Sequence, residues 1–235
     1  LMIGSTSTGT INAADYNTSV GVGNFAALTT GDYNTVIGYG SLIALTTGNY
    51  NNIVGRNAGA AITDGYHNNA MGLNALMSCI GGYENVAIGE YSLFSNTTGR
   101  GNNASGINAL YSNTTGDDNI ALGTSALGFN TTGIDNIAVG RAALLNNTIG
   151  QNNVAIGMKS MRMNTEGVNS IAIGRYSLHD NTTGNNNIAF GTYSLFANST
   201  GYSNVAVGNL VAAVVAVGVG VVVVADVVVG GVVVV

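Results

Sequence analysis

Glycine recurs at a fixed step of 17 residues through most of this chain, and that step limits what the chain can fold into. Gly31, Gly48, Gly65, Gly82, Gly99, Gly116, Gly133, Gly150, Gly167, Gly184 and Gly201 form one series. Gly21, Gly38, Gly55, Gly72, Gly89, Gly106, Gly123, Gly140, Gly157, Gly174, Gly191 and Gly208 form a second with the same step. Counting from the first series, Asn holds the fourth position from Asn17 and Asn34 through Asn187 and Asn204, with Ser170 the one departure. The unit reads G-x-x-N-(I/V)-A-(I/V)-G-x-x-(A/S)-L-x-x-N-T-T. A period sustained this long is the signature of stacked repeats. Ala14 takes the first glycine position, and Leu1-Met2-Ile3-Gly4 matches the strand of the unit before.

A helical reading fails on length. Helical repeats take roughly 33 to 47 residues, and two glycines per unit break short helices. Asn119-Ile120-Ala121-Leu122-Gly123 and Asn136-Ile137-Ala138-Val139-Gly140 read instead as short strands bounded by turn residues. Ala126-Leu127 and Ala143-Leu144 read as a shorter second strand, and Asn-Thr-Thr-Gly turns the chain back. The expected fold is all-β: a parallel β-solenoid of about a dozen coils, 17 residues each, over residues 1–210. Coils spaced ~4.8 Å apart give a rod of roughly 55–60 Å.

Each column of the repeat has an expected duty. Gly89, Gly106 and Gly123 at the eighth position, and Gly99, Gly116 and Gly133 at the first, allow positive φ or close backbone approach at corners. Asn85, Asn102, Asn119 and Asn136 stack as a ladder that hydrogen-bonds coil to coil, as do asparagines at the fifteenth position. Side chains alternate along a strand, so Ile120 and Leu122 share one side and Ala121 takes the other. Leu110 and Leu127 are expected to fill the interior together with the Ile/Val series. The alanine series faces a narrow interior or a neighbouring subunit. Each buried Leu contributes roughly 1.5–3 kcal/mol, so stability should rise with coil number.

Composition narrows function. Charged residues are 7% of the chain and the net charge is −5. The six basic residues, Arg56, Arg100, Arg141, Lys159, Arg162 and Arg175, are scattered, so nucleic acid is not an expected partner. Cys79 is the only cysteine, which excludes an intrachain disulfide and a zinc cluster. No catalytic constellation or G-K-[ST] phosphate loop appears, and no cofactor is expected. His67 and His179 read as exposed loop residues. Asp117, Asp118 and Asp135 fall at the second and third positions of consecutive coils, a weak calcium candidate set against the simpler reading as turn formers. Eight N-x-[ST] sequons, at Asn17, Asn96, Asn103, Asn113, Asn130, Asn146, Asn181 and Asn198, read as turn and ladder residues before glycosylation sites. Thr pairs beside the turn are a poor ice-binding array. Tyr91, Tyr176 and Tyr193 share one position and fit packing between subunits better than sugar stacking.

The strand signature in Asn85-Val86-Ala87-Ile88-Gly89 and Asn153-Val154-Ala155-Ile156-Gly157 resembles the head repeat of trimeric autotransporter adhesins. The longer unit, as in Ala109 to Gly116, is similar to repeats of bacteriophage and giant-virus tail-fibre proteins. The resemblance covers roughly residues 14–208 and implies a left-handed β-roll assembled as a trimer. This chain departs from the adhesin heads in its longer 17-residue unit. No self-cleaving chaperone domain of the kind that ends many tail fibres is visible.

The expected function is a non-catalytic structural or adhesive rod of a surface fibre, extracellular, on a virion or cell. Its partners are other copies in a homotrimer or homopolymer, and a cell-surface receptor or glycan. The alternative is a subunit of a self-assembling extracellular filament. The chain opens at Leu1 with no visible signal peptide and reads as part of a longer protein. Residues 211–235 turn abruptly to Val, Ala and Gly. With Gly218 in register, they read as a continuation by one coil whose valines stand in for unassigned side chains, not as a membrane span.

Overall fold

The computed structural model describes residues 14–210, together with the backbone of two further short strands near the ends. It divides into two compact units, residues 1–118 and 119–235. Each is built of the same coil, a parallel β-solenoid of 17 residues per turn without helix among the described residues.

The first unit carries β1 (Met2–Ile3), β2 (Thr18–Val22), β3 (Thr35–Tyr39), β4 (Asn52–Val54), β5 (Asn69–Met71), β6 (Val86–Ile88) and β7 (Asn103–Ser105). The second carries β8 (Ile120–Leu122), β9 (Ile137–Val139), β10 (Val154–Ile156), β11 (Ile171–Ile173), β12 (Ile188–Phe190), β13 (Val205–Val207) and β14 (Val222–Val224). Inside each unit, consecutive strands pair in parallel and every residue faces its equivalent 17 positions on, as Ala155 faces Ala138 and Ala172. Met2 pairs with Ser19, as the register of the amino end requires. Val222–Val224 pairs with Val205–Val207, whereas Gly218 and the rest of the tail lie outside the described residues.

The interior differs from the expectation in one respect. Ala121, Ala138, Ala155, Ala172 and Ala189 are fully buried, while Leu122, Ile156 and Phe190 on the alternate side are 38% exposed. The alanines therefore line the interior, one of the two places expected for them, whereas the Ile/Val series points outward and does not join the leucines inside. The cause is crowding. The fourth, sixth, eleventh, twelfth and fifteenth positions all converge inside one coil, as at Asn119, Ala121, Ala126, Leu127 and Asn130, each fully buried. With Leu in the centre, a small side chain sits opposite at protein packing density, alanine in most coils and Val36 beside Leu42.

The leucines do fill the centre, but on backbone that the repeat pattern did not announce. Leu93, Leu110, Leu127, Leu144, Leu178 and Leu195 are buried with φ of 49–51°. The tenth position, as at Ala142 (φ 57°), and the third, as at Asp135 (φ 56°), are also left-handed. Such residues cost on the order of 1 kcal/mol or more each and persist only where surroundings hold them. Here the backbone holds them, since Ala142 N–H donates to Thr124 O at 3.0 Å and Leu127 N–H to Ala143 O at 3.0 Å. Left-handed kinks at two positions out of three prevent the expected second strand at Ala126-Leu127. That stretch is turn, stitched to its neighbour by the same inter-coil bonds.

Candidate interaction surfaces

Two buried ladders hold the coils in register and fix which groups face outward. At the fourth position of the second unit, Asn136 donates its backbone amide and its Nδ2 to Asn119 Oδ1, both at 3.1 Å, and its Nδ2 also to Gly150 O at 2.8 Å. Ser170 preserves the ladder in part: its amide donates to Asn153 Oδ1 at 3.0 Å and its Oγ accepts the Asn187 amide at 3.1 Å.

The fifteenth-position ladder is present only from Asn96 onward. Asn113 Nδ2 donates to Asn96 Oδ1 at 2.9 Å, and Asn164 Nδ2 to Asn147 Oδ1 at 2.7 Å. In the coils before it the same buried column is Leu28, Leu45, Ile62 and Cys79. Cys79 marks the change. Its thiol donates to Gly82 O at 3.7 Å, the bond that Asn96 Nδ2 makes to Gly99 O at 2.9 Å. Burial pushes the Cys79 thiol up to about 11.

The named glycines sit where the ladders need them. Gly89, Gly106 and Gly123 have φ of 130–142°, open only to glycine. A Cβ on Gly99 would stand 2.5 Å from Gly116 O, and one on Gly133 2.4 Å from Gly150 O.

Ladder duty also settles most sequons. Asn17, Asn96, Asn113, Asn130, Asn181 and Asn198 are buried, Asn146 is half-buried against Met163, and Asn103 alone is exposed. The threonines beside the turn are likewise engaged, since Thr131 and Thr148 Oγ1 donate to the carbonyls of Thr148 and Thr165.

The outward face of the sheet is the first candidate surface. In the second unit its two columns are unbroken apolar: Ile120, Ile137, Val154, Ile171, Ile188 and Val205 beside Leu122, Val139, Ile156, Ile173, Phe190 and Val207. In the first unit the corresponding columns include Thr18, Thr35, Asn52, Asn69, Asn103 and Ser105. Asn52 Nδ2 donates to Asn69 Oδ1 at 3.0 Å on that exposed face.

Aromatic rungs form a second surface. Tyr16, Tyr33 and Tyr50 stack at 4.8 and 5.0 Å, and His67 meets Tyr50 edge-on at 5.1 Å. Tyr176 stacks on Tyr193 at 5.0 Å. Stacking covers ring faces with other rings and leaves edges to solvent, so these columns offer little flat surface for a sugar. His67 is exposed as expected. His179 is not: its side chain is 13% exposed, stacked on Phe196 at 5.1 Å with Nδ1 2.6 Å from Asp180 Oδ1.

Coil stacking also gathers charge that is dispersed in sequence. Arg141, Lys159 with Arg162, and Arg175 stand on three consecutive coils at the ninth, tenth and thirteenth positions. Of the calcium candidates, Asp117 accepts from Arg100 N at 2.9 Å and from Arg100 Nε at 3.2 Å. Asp118 and Asp135 take the left-handed third position, a turn duty. Among the described residues no group of three or more His, Cys, Asp or Glu is gathered for a metal, and no helix is long and apolar enough to cross a membrane.

No family model, curated protein or solved structure matches the chain. The class defined by the coordinates is the all-β parallel β-solenoid.

Proposed function

We propose that this chain is the non-catalytic rod of an extracellular surface fibre, on a virion or a cell, in which several copies associate through the outer faces of their sheets. The observation that carries this reading is the uncovered pair of Ile/Val columns on the second unit. Contiguous apolar patches on soluble monomers are rare and mark association surfaces. A trimer is the assembly implied by the resemblance to adhesin heads and tail fibres. The interior supports a mechanical duty, because each coil is tied to the next by backbone bonds and buried Asn bonds at several positions around its outline.

Sedimentation equilibrium over a wide concentration range tests the reading. A closed multimer of fixed mass, converted to monomer by Ile137→Asn with Ile171→Asn, is expected. A size distribution that grows with concentration would indicate the open filament instead. A wild-type chain that stays monomeric at high concentration would overturn both.

A further inference from the structure

Charge is divided unevenly along the chain. Residues 1–118 carry two basic and seven acidic side chains, whereas residues 119–235 carry four of each. All four basic side chains of that second stretch fall between Arg141 and Arg175, on three successive coils and within the ninth-to-thirteenth stretch of the repeat. The described carboxylates lie elsewhere on the coil. Asp135 takes the third position and Glu166 the seventeenth, while Asp180, at the fourteenth, is held by His179. No carboxylate lies within ion-pair reach of any of the four cations among the described residues.

Two of the cations meet one ring. Lys159 Nζ stands 5.3 Å from the Tyr176 ring centroid and 3.4 Å from its hydroxyl, and Arg175 Cζ is 5.1 Å from the same centroid. Arg162 Nη1 rests on Met163 Sδ at 3.4 Å. Arg141 and Arg175 are exposed and share the ninth position two coils apart, about 9–10 Å along the stack. Ring contact and the absence of carboxylate partners leave guanidinium and ammonium donors free for an outside anion.

We infer that Arg141, Lys159, Arg162 and Arg175, on three consecutive coils with Lys159 and Arg175 against Tyr176, form a binding site for an extended acidic polysaccharide lying along the coil stack. Its anionic groups, carboxylate or sulfate, recur at intervals along a stiff chain and meet cations set at rung intervals. Sugar hydroxyls meet the Tyr176 hydroxyl edge. Single-stranded nucleic acid fits less well. It binds by stacking bases on open aromatic faces, and Tyr176 is covered by Tyr193 and flanked by Lys159 and Arg175. The site lies past the glycine corner, off the two apolar strand columns through which copies are proposed to associate.

Biolayer interferometry on the full chain tests this with four probes: a polyuronate, a dextran sulfate, neutral dextran and single-stranded DNA. Binding to one or both acidic polysaccharides is expected, weakening several-fold from 50 to 300 mM salt. Arg141→Ala with Arg175→Ala is expected to lower that affinity about tenfold or more, since charge-assisted bonds are lost. Arg56→Ala, on the other unit, is expected to leave it unchanged. Equal thermal melting of the variants shows that folding is intact. The two acidic probes distinguish carboxylate from sulfate recognition. Acidic probes binding no better than neutral dextran, DNA binding more tightly than either, or an unaffected double variant would each overturn the inference.

Discussion

Asn34 donates twice to the Oδ1 of Asn17, through its backbone amide at 2.9 Å and its Nδ2 at 3.1 Å. The second Nδ2 hydrogen goes to Gly48 O at 2.9 Å. One coil on, Asn51 repeats all three bonds to Asn34 Oδ1 and Gly65 O. A side chain with one acceptor and two donors is thereby fully satisfied inside the coil, which is why a buried polar column is tolerated.

Truncating one rung leaves its neighbours unsatisfied. Asn136→Ala strands the backbone amide of Asn153 and one of its two Nδ2 hydrogens, while Gly150 O keeps Asn147 Nδ2 and Asn153 Nδ2 keeps Gly167 O, and should destabilise the chain by about 1–3 kcal/mol. Asn136→Ser should cost less, because Ser170 shows that an Oγ accepts the next amide at 3.1 Å. Urea midpoints of the two variants, converted with a common slope, check the order.

Left-handed positions divide into two kinds. A Cβ on Gly140 (φ 126°) would stand 2.8 Å from both C and O of Gly157, so Gly140→Ala combines forbidden backbone with a backbone clash. It should cost at least about 3 kcal/mol. Ala142, two residues on, has φ 57°. There Ala142→Gly relieves strain and adds unfolded-state freedom in comparable amounts, giving a change within about 1 kcal/mol. Thermal melting of both variants distinguishes them.

Cys79 should make stability fall at alkaline pH. Its thiol is raised from 9.0 to about 11 by burial, so the unfolded chain releases the proton before the folded chain does. The contribution is intact below about pH 9, declines between 9 and 11, and amounts to roughly 2–3 kcal/mol once fully lost. Melting temperatures of the wild type and Cys79→Ala should therefore converge across that window. The native thiol should also resist alkylation at pH 8, because the nucleophile is the thiolate.

Stack, period, glycine corners and fourth-position ladder were legible in the sequence because each is a strict column. Facing was not. Alternation separates Ile120 and Leu122 from Ala121 without saying which side is inside, and hydropathy favours the larger pair. The informative signal lay in what the columns tolerate. Asn52, Asn69 and Asn103 occur in the outward column, where an interior place would require a full ladder. The sixth position accepts only Ser19, Val36, Ile53 and then alanine. Left-handed leucines were illegible, since leucine carries no preference for that backbone and neighbouring coils impose it.

The interior trades volume between the sixth and twelfth positions, and the trade is measurable. Ser19 accompanies Phe25, Val36 accompanies Leu42, Ile53 accompanies Gly59, and Ala70 accompanies Leu76. A Cβ on Gly59 would lie 3.5 Å from Ile53 Cδ1, 3.2 Å from Leu42 Cδ2 and 3.0 Å from Ile62 Cδ1, so Ile53 and its neighbours occupy the space a twelfth-position leucine uses elsewhere. Ile53→Ala alone should open a cavity at a cost of about 2–5 kcal/mol. Gly59→Leu alone should overpack by about 1–3 kcal/mol or more. Together they recreate the Ala–Leu pairing of the next coil, and the double variant should recover most of the loss. A coupling of at least about 2 kcal/mol in the double-mutant cycle is expected. Additive losses would mean that the two positions do not share one space.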